Sequence, residues 1–131
     1  MKKKGNQKKE RIFDLEERLL EYANNIIKLV EALPNTRSGN HIGNQLLKSG
    51  TAPYAHHGEA QAAESNNDFV HKMSIGLKEL RESSRWLKLV EKSQMLKNKI
   101  EWIKEMIAET EELIKIFFKS IQTAKSNITK K

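Results

Sequence analysis

The strongest constraint on this chain is an apolar repeat near its C-terminal end. The repeat alternates steps of four and three residues, through Leu96, Ile100, Ile103, Ile107, Thr110, Ile114, Phe117 and Ile121. A period of 3.5 residues puts every member on one side of an α-helix and favours left-handed helix packing. The segment therefore predicts a long amphipathic helix that belongs to a bundle.

Three further segments have the same helical pattern, and each carries a start signal. Asp14, with Glu17 three residues later, forms a capping-box-like pair and is predicted to open the first helix. Thr36 or Ser38 is predicted to cap the second helix, and Ser65 the third. The four predicted helices span about 14–33, 37–64, 66–91 and 95–125. Because the links are short, the predicted fold is all-α, an antiparallel up-down-up-down four-helix bundle.

The second helix contains a segment that must loosen its hydrogen-bond ladder. Gly50-Thr51-Ala52-Pro53 ends in a proline, which lacks an N–H and clashes with the carbonyl four residues back. Two arrangements remain open: one long helix with a kink near 50–53, or a break and a restart capped by Thr51 or Ala52. We favour the kinked helix, since its length then matches the other three.

Positive charge is concentrated at the two ends of the chain. Residues 1–11 carry +5 and residues 115–131 carry another +5, so residues 12–114 carry −3 of the total +7. Basic ends pair with phosphates in nucleic acid, and they also serve as solubilising ends. We predict a disordered basic tail at 1–11, a bundle at 12–125 and a basic tail at 126–131. The candidate nucleic-acid-binding residues are Lys2, Lys3, Lys4, Lys8, Lys9, Arg11, Lys125, Lys130 and Lys131.

Composition removes several classes of protein from consideration. The chain has no cysteine, hence no disulfide, thiolate metal site or cysteine nucleophile, which fits a reducing cytoplasm. No apolar run follows the basic start as a signal peptide requires, and no apolar stretch approaches the roughly 20 residues of a membrane span. We therefore expect a cytoplasmic protein with no membrane partner.

The segment 38–65 is rich in glycine, histidine and small polar residues, and its chemistry is predicted to be structural. His57 and Gln61 have the four-residue spacing of helical metal ligands, but glutamine is a poor ligand, so we predict no metal and no cofactor. We predict no catalytic residues, no enzymatic activity and no small-molecule substrate. The residues of the predicted polar network are Asn44, Gln45, Ser49, Thr51, Glu59, Gln61, Glu64 and Arg81.

The last helix carries more apolar surface than one bundle can bury. A second stripe includes Trp102, Met106 and Leu113, about 110° around the helix from the first. The first helix has a similar excess at Leu20 and Ile27. These five residues are the predicted contacts of a homo-oligomer, because large exposed apolar surface marks a partner site. The alternative is a broad core face with Trp102 lying flat on its rim.

Nine short motifs resemble the bacterial four-helix-bundle proteins encoded by intervening sequences within 23S ribosomal RNA genes. They are FDLEERL at 13–19, ALPNT at 32–36, GNHIGNQLL at 39–47, SGT at 49–51, GEAQAAES at 58–65, DFVHK at 68–72, LKELRES at 77–83, WLKL at 86–89 and ELIKIF at 112–117. Together they cover nearly the whole chain between residues 12 and 125. The central run is specific, whereas the last motif is of a kind that recurs in many bundles.

The resemblance implies an antiparallel four-helix bundle that assembles into a ring-like homopentamer, with no known enzymatic activity. A related branch of such proteins serves as the accessory protein of diversity-generating retroelements, where the pentamer binds nucleic acid and a reverse transcriptase. That branch tends to have a more basic folded body than the −3 of residues 12–114. We therefore expect an oligomeric scaffold that binds RNA or a ribonucleoprotein. The alternatives are a protein-interaction module with no nucleic-acid role and a retroelement accessory protein.

Overall fold

The computed structural model describes residues 7–129, with side chains described from residue 15 onward. Four helices follow one another along the chain: α1 at Gln7–Ala32, α2 at Arg37–Gln61, α3 at Asn66–Ser93 and α4 at Ile100–Thr129. A 3₁₀ turn at Lys97–Lys99 precedes α4. The described residues form no strand. The predicted all-α four-helix fold is confirmed.

Contacts along the helices give their relative directions. A side chain added at Gly43 would meet Val30, whereas one added at Gly50 would meet Ile26. Because higher numbers on α2 meet lower numbers on α1, these two helices run in opposite directions. The hydrogen bond between Ser49 and Ser83 and the close approach of His56 to Gly76 give the same relation for α2 and α3.

The third pair, α3 and α4, is also antiparallel. The four helices do not pack equally closely on their neighbours. Gly76 approaches Phe117, and Ser84 reaches Glu111. α2 packs extensively on α3, and α3 on α4, while α1 and α4 approach each other least. The chain therefore winds up, down, up and down, with its loosest seam between the first and last helices.

Two caps were predicted correctly, and both have the geometry that satisfies free N–H groups. The Thr36 hydroxyl accepts from the Gly39 N–H at 3.1 Å. The Ser65 hydroxyl accepts from the Asp68 N–H, also at 3.1 Å. Both capping residues have extended backbone, as a residue just outside a helix does.

The helix ends differ from the predicted ones where the chain lacks a strong stop signal. α1 begins at Gln7 rather than Asp14, since residues 7–13 contain good helix formers and neither glycine nor proline. α4 begins at Ile100 rather than residue 95, because Gln94 has a left-handed backbone with φ 59° and the 3₁₀ turn follows. α4 continues to Thr129, past the predicted end at 125.

The helix α2 is continuous through Pro53, as in the favoured arrangement, so the alternative of a break and a restart does not occur. It ends at Gln61 rather than Glu64, because the chain must leave the helix before the extended cap at Ser65. Gly50, less than one turn before the proline, is required by packing. A Cβ at that position would lie 2.7 Å from two carbon atoms of the Ile26 side chain.

The core face of α4 is rotated from the predicted stripe. Its fully buried members are Ile103, Met106, Thr110, Leu113, Phe117, Ile121 and Ala124. Ile107 and Ile114 are only half-buried, on the same side of α4 as Glu111, which contacts α3. Met106 and Leu113 lie on the side of α4 that carries Glu109, which binds Arg18 of α1, so the core line falls between the two apolar stripes instead of along the first.

We expect the neighbours Leu113 and Ile114 to respond differently to truncation. Leu113 is 0% exposed, so Leu113→Ala should lower the free energy of unfolding by about 2–5 kcal/mol. Ile114 is half-buried, so Ile114→Ala should cost at least about 1 kcal/mol less. Urea denaturation of the two variants measures both values. Equal costs would show that the core line of α4 is misplaced.

Candidate functional site

The polar residues of segment 38–65 do not form the single network that was predicted. Only Ser49 is buried; Asn44, Glu59, Gln61, Glu64 and Arg81 are exposed, and Gln45 and Thr51 are half-buried. The helical period explains this, since α2 turns its small residues toward its neighbours and most of its longer polar ones outward. The segment therefore supplies close packing, and its outward polar groups make only local contacts.

Those local contacts lie on or beside α2. Thr51 donates to the Leu47 carbonyl at 2.7 Å, and the Gln61 amide lies 3.3 Å from His57 Nε2. Glu59 lies 3.5 Å from His56 Nδ1, and its other oxygen is 3.9 Å from Lys72 Nζ on α3. Such exposed pairs contribute little to stability.

A different polar layer lies in the core, with one residue from each helix. The Tyr22 hydroxyl of α1 lies 2.8 Å from the Thr110 hydroxyl of α4. Thr110 donates to the Met106 carbonyl at 2.6 Å, so Tyr22 is the donor to Thr110. Ser83 of α3 donates to Ser49 of α2 at 2.8 Å. We call these four residues, Tyr22, Ser49, Ser83 and Thr110, the buried hydroxyl layer; each is 2% exposed or less.

The electrostatics of the buried hydroxyl layer favour a structural role. Burial raises the pKa of Tyr22 to about 12, although hydrogen bonds with Thr110 and Ser83 act in the opposite direction. Tyr22 is therefore a neutral hydrogen-bonding group at physiological pH. A signal in the sequence could have found the layer: Tyr22, Ser83 and Thr110 are polar residues at core-stripe positions.

Two further polar links connect α4 to its neighbours. Arg18 of α1 binds Glu109 through two hydrogen bonds, at 2.6 and 2.9 Å. Glu111 accepts from the Ser84 hydroxyl at 2.7 Å and lies 3.3 Å from Lys88 Nζ. The hydrogen bond from Ser84 is the main cause that lowers the pKa of Glu111, and Lys88 adds to it. These links hold α4 from both sides.

The adjacent histidines of α2 lie in a partly apolar environment. His57 is 3% exposed, with its ring centroid 6.3 Å from that of Phe117 on α4. Burial lowers the pKa of His57, while the charge of Glu16 on α1 opposes the shift. The Nδ1 atoms of His56 and His57 are both buried without a hydrogen-bond partner. Among the described side chains, no three His, Asp or Glu groups converge as metal ligands.

The predicted oligomer contacts separate into core and surface residues. Met106 and Leu113 are 4% and 0% exposed, so they belong to the core of a single chain and not to its outside. Trp102 is half-buried, with Lys99 Nζ 5.6 Å from its ring centroid. Leu20 and Ile27 are 45% and 43% exposed. The correction for α4 follows from its rotated core face.

Two exposed apolar residues of α2 were not among the oligomer contacts predicted from the sequence. Leu47 and Tyr54 are 38% and 37% exposed. In the antiparallel register that sets Gly50 opposite Ile26, Leu47 falls beside Ile27 and Tyr54 beside Leu20. We call Leu20, Ile27, Leu47 and Tyr54 the outer α1–α2 face. Leu47 follows the core residue Leu46 directly, and the sequence pattern alone groups both with the core.

Most of the predicted nucleic-acid-binding residues lie outside the described part of the chain. Lys2, Lys3, Lys4, Lys130 and Lys131 lie beyond residues 7–129. Lys8, Lys9 and Arg11 lie in the backbone of α1, but their side chains are outside the described set. Lys125 is exposed near the end of α4. No helix within residues 7–129 has the length and apolar character needed to cross a membrane.

Packing and hydrogen bonding together define an all-α protein of the four-helix-bundle class. The sequence model of the family described as 23S rRNA-intervening sequence protein matches residues 13–119. That match covers most of the chain, and the protein belongs to this family. The resemblance found in the sequence motifs is thereby confirmed.

A solved structure is similar to this protein in both fold and sequence. It is a protein with unknown function from the S23 ribosomal protein family, from Bacteroides thetaiotaomicron VPI-5482. The two chains are 30% identical, with a TM-score of 0.75 over 82% of this chain and 97% of the other. A comparison with curated proteins finds no match.

The buried hydroxyl layer makes a prediction with an internal control. Tyr22→Phe removes the donor to Thr110 in the core and should cost about 1–3 kcal/mol of unfolding free energy. Tyr54→Phe removes an exposed hydroxyl and should change stability by less than about 0.5 kcal/mol. Thermal or urea denaturation compares the two tyrosines. A Tyr22 variant as stable as the Tyr54 variant would contradict a stabilising role for the layer.

The buried His57 predicts a loss of stability in mild acid. Its pKa is lower in the folded chain than its ordinary 6.5, so the unfolded chain takes up the proton first. The contribution of His57 is complete above pH 6.5 and is lost as the pH falls through 6.5 toward the folded value. We expect urea midpoints to fall between pH 7.5 and 5.5, with a smaller fall in His57→Gln. The exposed control, His71→Gln, should keep the wild-type profile, and an unchanged profile in His57→Gln would refute this assignment.

Proposed function

We propose that this protein is a non-enzymatic scaffold that assembles from identical copies, five in number, and binds RNA. The observation that carries the assembly is the outer α1–α2 face. The number five comes from the family resemblance. The RNA half is supported by a sequence pI of about 9.6 and by the positive charge at both ends of the chain.

The outer α1–α2 face has the character of a contact between copies. Its four apolar side chains are each more than a third exposed, in two neighbouring pairs. Within each helix the two members are seven residues apart, about 10.5 Å, so the face is an extended strip. Contiguous apolar surface of this kind marks a partner site, and closed symmetric assemblies are the usual result when the partner is another copy.

The state of the polar groups in the core supports a scaffold over an enzyme. Tyr22 has a pKa of about 12 and is bound to Thr110, so it is a poor proton donor and acceptor near neutral pH. Glu109 and Glu111 are held by Arg18 and by Ser84 respectively. These groups are committed to links between helices. Their arrangement favours a rigid bundle whose function lies on its surface.

One sedimentation experiment tests both halves of the proposal. Wild-type protein should sediment as a pentamer, and a labelled RNA duplex should move with it. The double variant Leu20→Glu, Ile27→Glu should remain helical and sediment as a smaller species, because an unpaired charge in an interface is costly. Its affinity for RNA should fall too, since linked copies bind one RNA with higher avidity. Phe118→Glu, at a phenylalanine of α4 that is 47% exposed, is the matched control.

Each result bears on a different part of the proposal. A wild-type monomer, or a double variant that sediments like wild type, refutes the assembly through this face. An oligomer that leaves the RNA at its free sedimentation rate refutes the RNA half and favours a protein-interaction module. A control variant that dissociates as readily as the double variant moves the interface to α4.

A further inference from the structure

The outward side of α3 carries a row of positive charges. Lys78, Arg81, Arg85, Lys88 and Lys92 follow one another at steps of three, four, three and four residues, and all five are exposed. Residues at these spacings lie on one face of a helix. The row extends about 21 Å along the helix axis at a rise of about 1.5 Å per residue. We call these five residues the basic stripe.

Most of the basic stripe is not neutralised by the protein itself. Lys88 pairs with Glu111 at 3.3 Å. Within residues 15–129, the other four cations form no ion pair. Glu82 lies within about one turn of Lys78 and Arg85 and accepts a hydrogen bond from Trp86 Nε1 at 3.2 Å, and within residues 15–129 it forms no ion pair with either cation. Like charges three and four residues apart repel, so helix stability gives no reason for the stripe.

α3 itself carries Asp68, Glu79, Glu82 and Glu91, which are all half-buried, and the exposed acidic residues that balance this charge lie on other helices. α1 exposes Glu16, Glu17, Glu21 and Glu31, and α4 exposes Glu101, Glu105 and Glu112. The net −3 of residues 12–114 is therefore a sum over faces of opposite sign. A locally positive face attracts polyanions even on a body that is nearly neutral, because the field acts over about 10 Å at ordinary salt.

We propose that the basic stripe binds the phosphate backbone of duplex RNA. This inference rests on the RNA half of the proposed function and assigns it to a surface of the folded body. A straight row of about 21 Å is long enough to run beside several successive phosphates of a duplex. Duplex RNA is recognised mainly by its shape and backbone, and cations on a rigid helix suit that task.

The chemistry of the stripe distinguishes it from a site for single-stranded nucleic acid and from a site for an anionic membrane. Single-strand binding uses exposed aromatic rings for base stacking. The aromatic residue nearest the stripe, Trp86, is half-buried, and its ring stands edge-on to His41. Insertion into an anionic membrane needs an apolar face beside the charges. On α3 the large exposed apolar side chains are limited to Leu89, within the described residues.

The test compares two triple variants of the full-length chain with the same change in charge. One is Lys78→Gln, Arg81→Gln, Arg85→Gln in the stripe. The control is Lys28→Gln, Lys48→Gln, Lys119→Gln, at exposed positions on α1, α2 and α4. Glutamine is a good helix former, so both should fold, and circular dichroism checks this. Binding to a 20-base-pair RNA duplex is measured by fluorescence anisotropy between 50 and 200 mM salt.

The stripe variant should lose about tenfold or more in affinity at 100 mM salt. Each phosphate contact on a duplex contributes about −0.9 to the slope of log affinity against log salt, so the slope should shrink by about 2.7. The control should lose less than about threefold. The single variants Arg81→Gln and Arg85→Gln should each shrink the slope by about 0.9.

Four results would overturn the inference. A stripe variant that binds like wild type refutes the stripe but leaves RNA binding to the basic ends of the chain. A wild-type protein that does not bind the duplex refutes both the stripe and the RNA half of the proposed function. Stronger binding to a single strand than to the duplex refutes the duplex assignment. Equally tight binding to phosphatidylserine vesicles, lost in the stripe variant, would reassign the surface to a membrane.

Discussion

The buried hydroxyl layer is the constraint on which the alignment of the helices depends. An apolar core tolerates small sliding of one helix along another, because dispersion contacts are numerous and individually weak. A buried hydroxyl tolerates it much less, since a lost partner leaves an unsatisfied polar group in a medium of low dielectric. Tyr22 and Thr110 therefore fix α1 against α4, which are the two adjacent helices that pack least closely. Ser49 and Ser83 do the same for α2 and α3.

Close approach of the helices adds a second constraint that acts with the first. A Cβ at Gly76 would lie 2.7 Å from the Phe117 ring, and one at Gly50 would crowd Ile26. Gly50 therefore lets Ile26 of α1 pack on the backbone of α2, and Gly76 lets Phe117 of α4 pack on the backbone of α3. The antiparallel register that follows also determines which outward residues become neighbours, including those of the outer α1–α2 face.

The fold was predictable from the sequence because its signals are local. The rotation of each helix about its own axis, which decides which residues are buried, was not predictable. Caps at Thr36 and Ser65 act within three residues, so the sequence carries them whole. The buried line of α4 depends instead on how closely α1 approaches. With two apolar stripes available, the pattern does not say that Met106 and Leu113 go inside while Ile107 and Ile114 stay on the flank. Only the packing of three partners decides it.

The candidate surfaces were less predictable than the fold for a similar reason. Net charge along the chain assigned the positive potential to the ends, because residues 12–114 sum to −3. The bundle separates those charges in space, and Lys78, Arg81 and Arg85 emerge on one side of α3. The predicted polar network failed for the opposite reason. Residues close in sequence, such as Asn44 and Ser49, lie on different sides of α2, where the first is exposed and the second is buried.

The positions of the two surfaces on the bundle suggest how they act together. The outer α1–α2 face and the basic stripe lie on different sides, with α2 between α1 and α3. A contact between copies through the first surface therefore leaves the second open to solvent. Repetition of the stripe around a closed ring would present several short cationic rows to one RNA. If the stripe binds RNA as proposed, each row would bind weakly at physiological salt and linked rows would act at high effective concentration, so assembly itself would set the affinity for RNA.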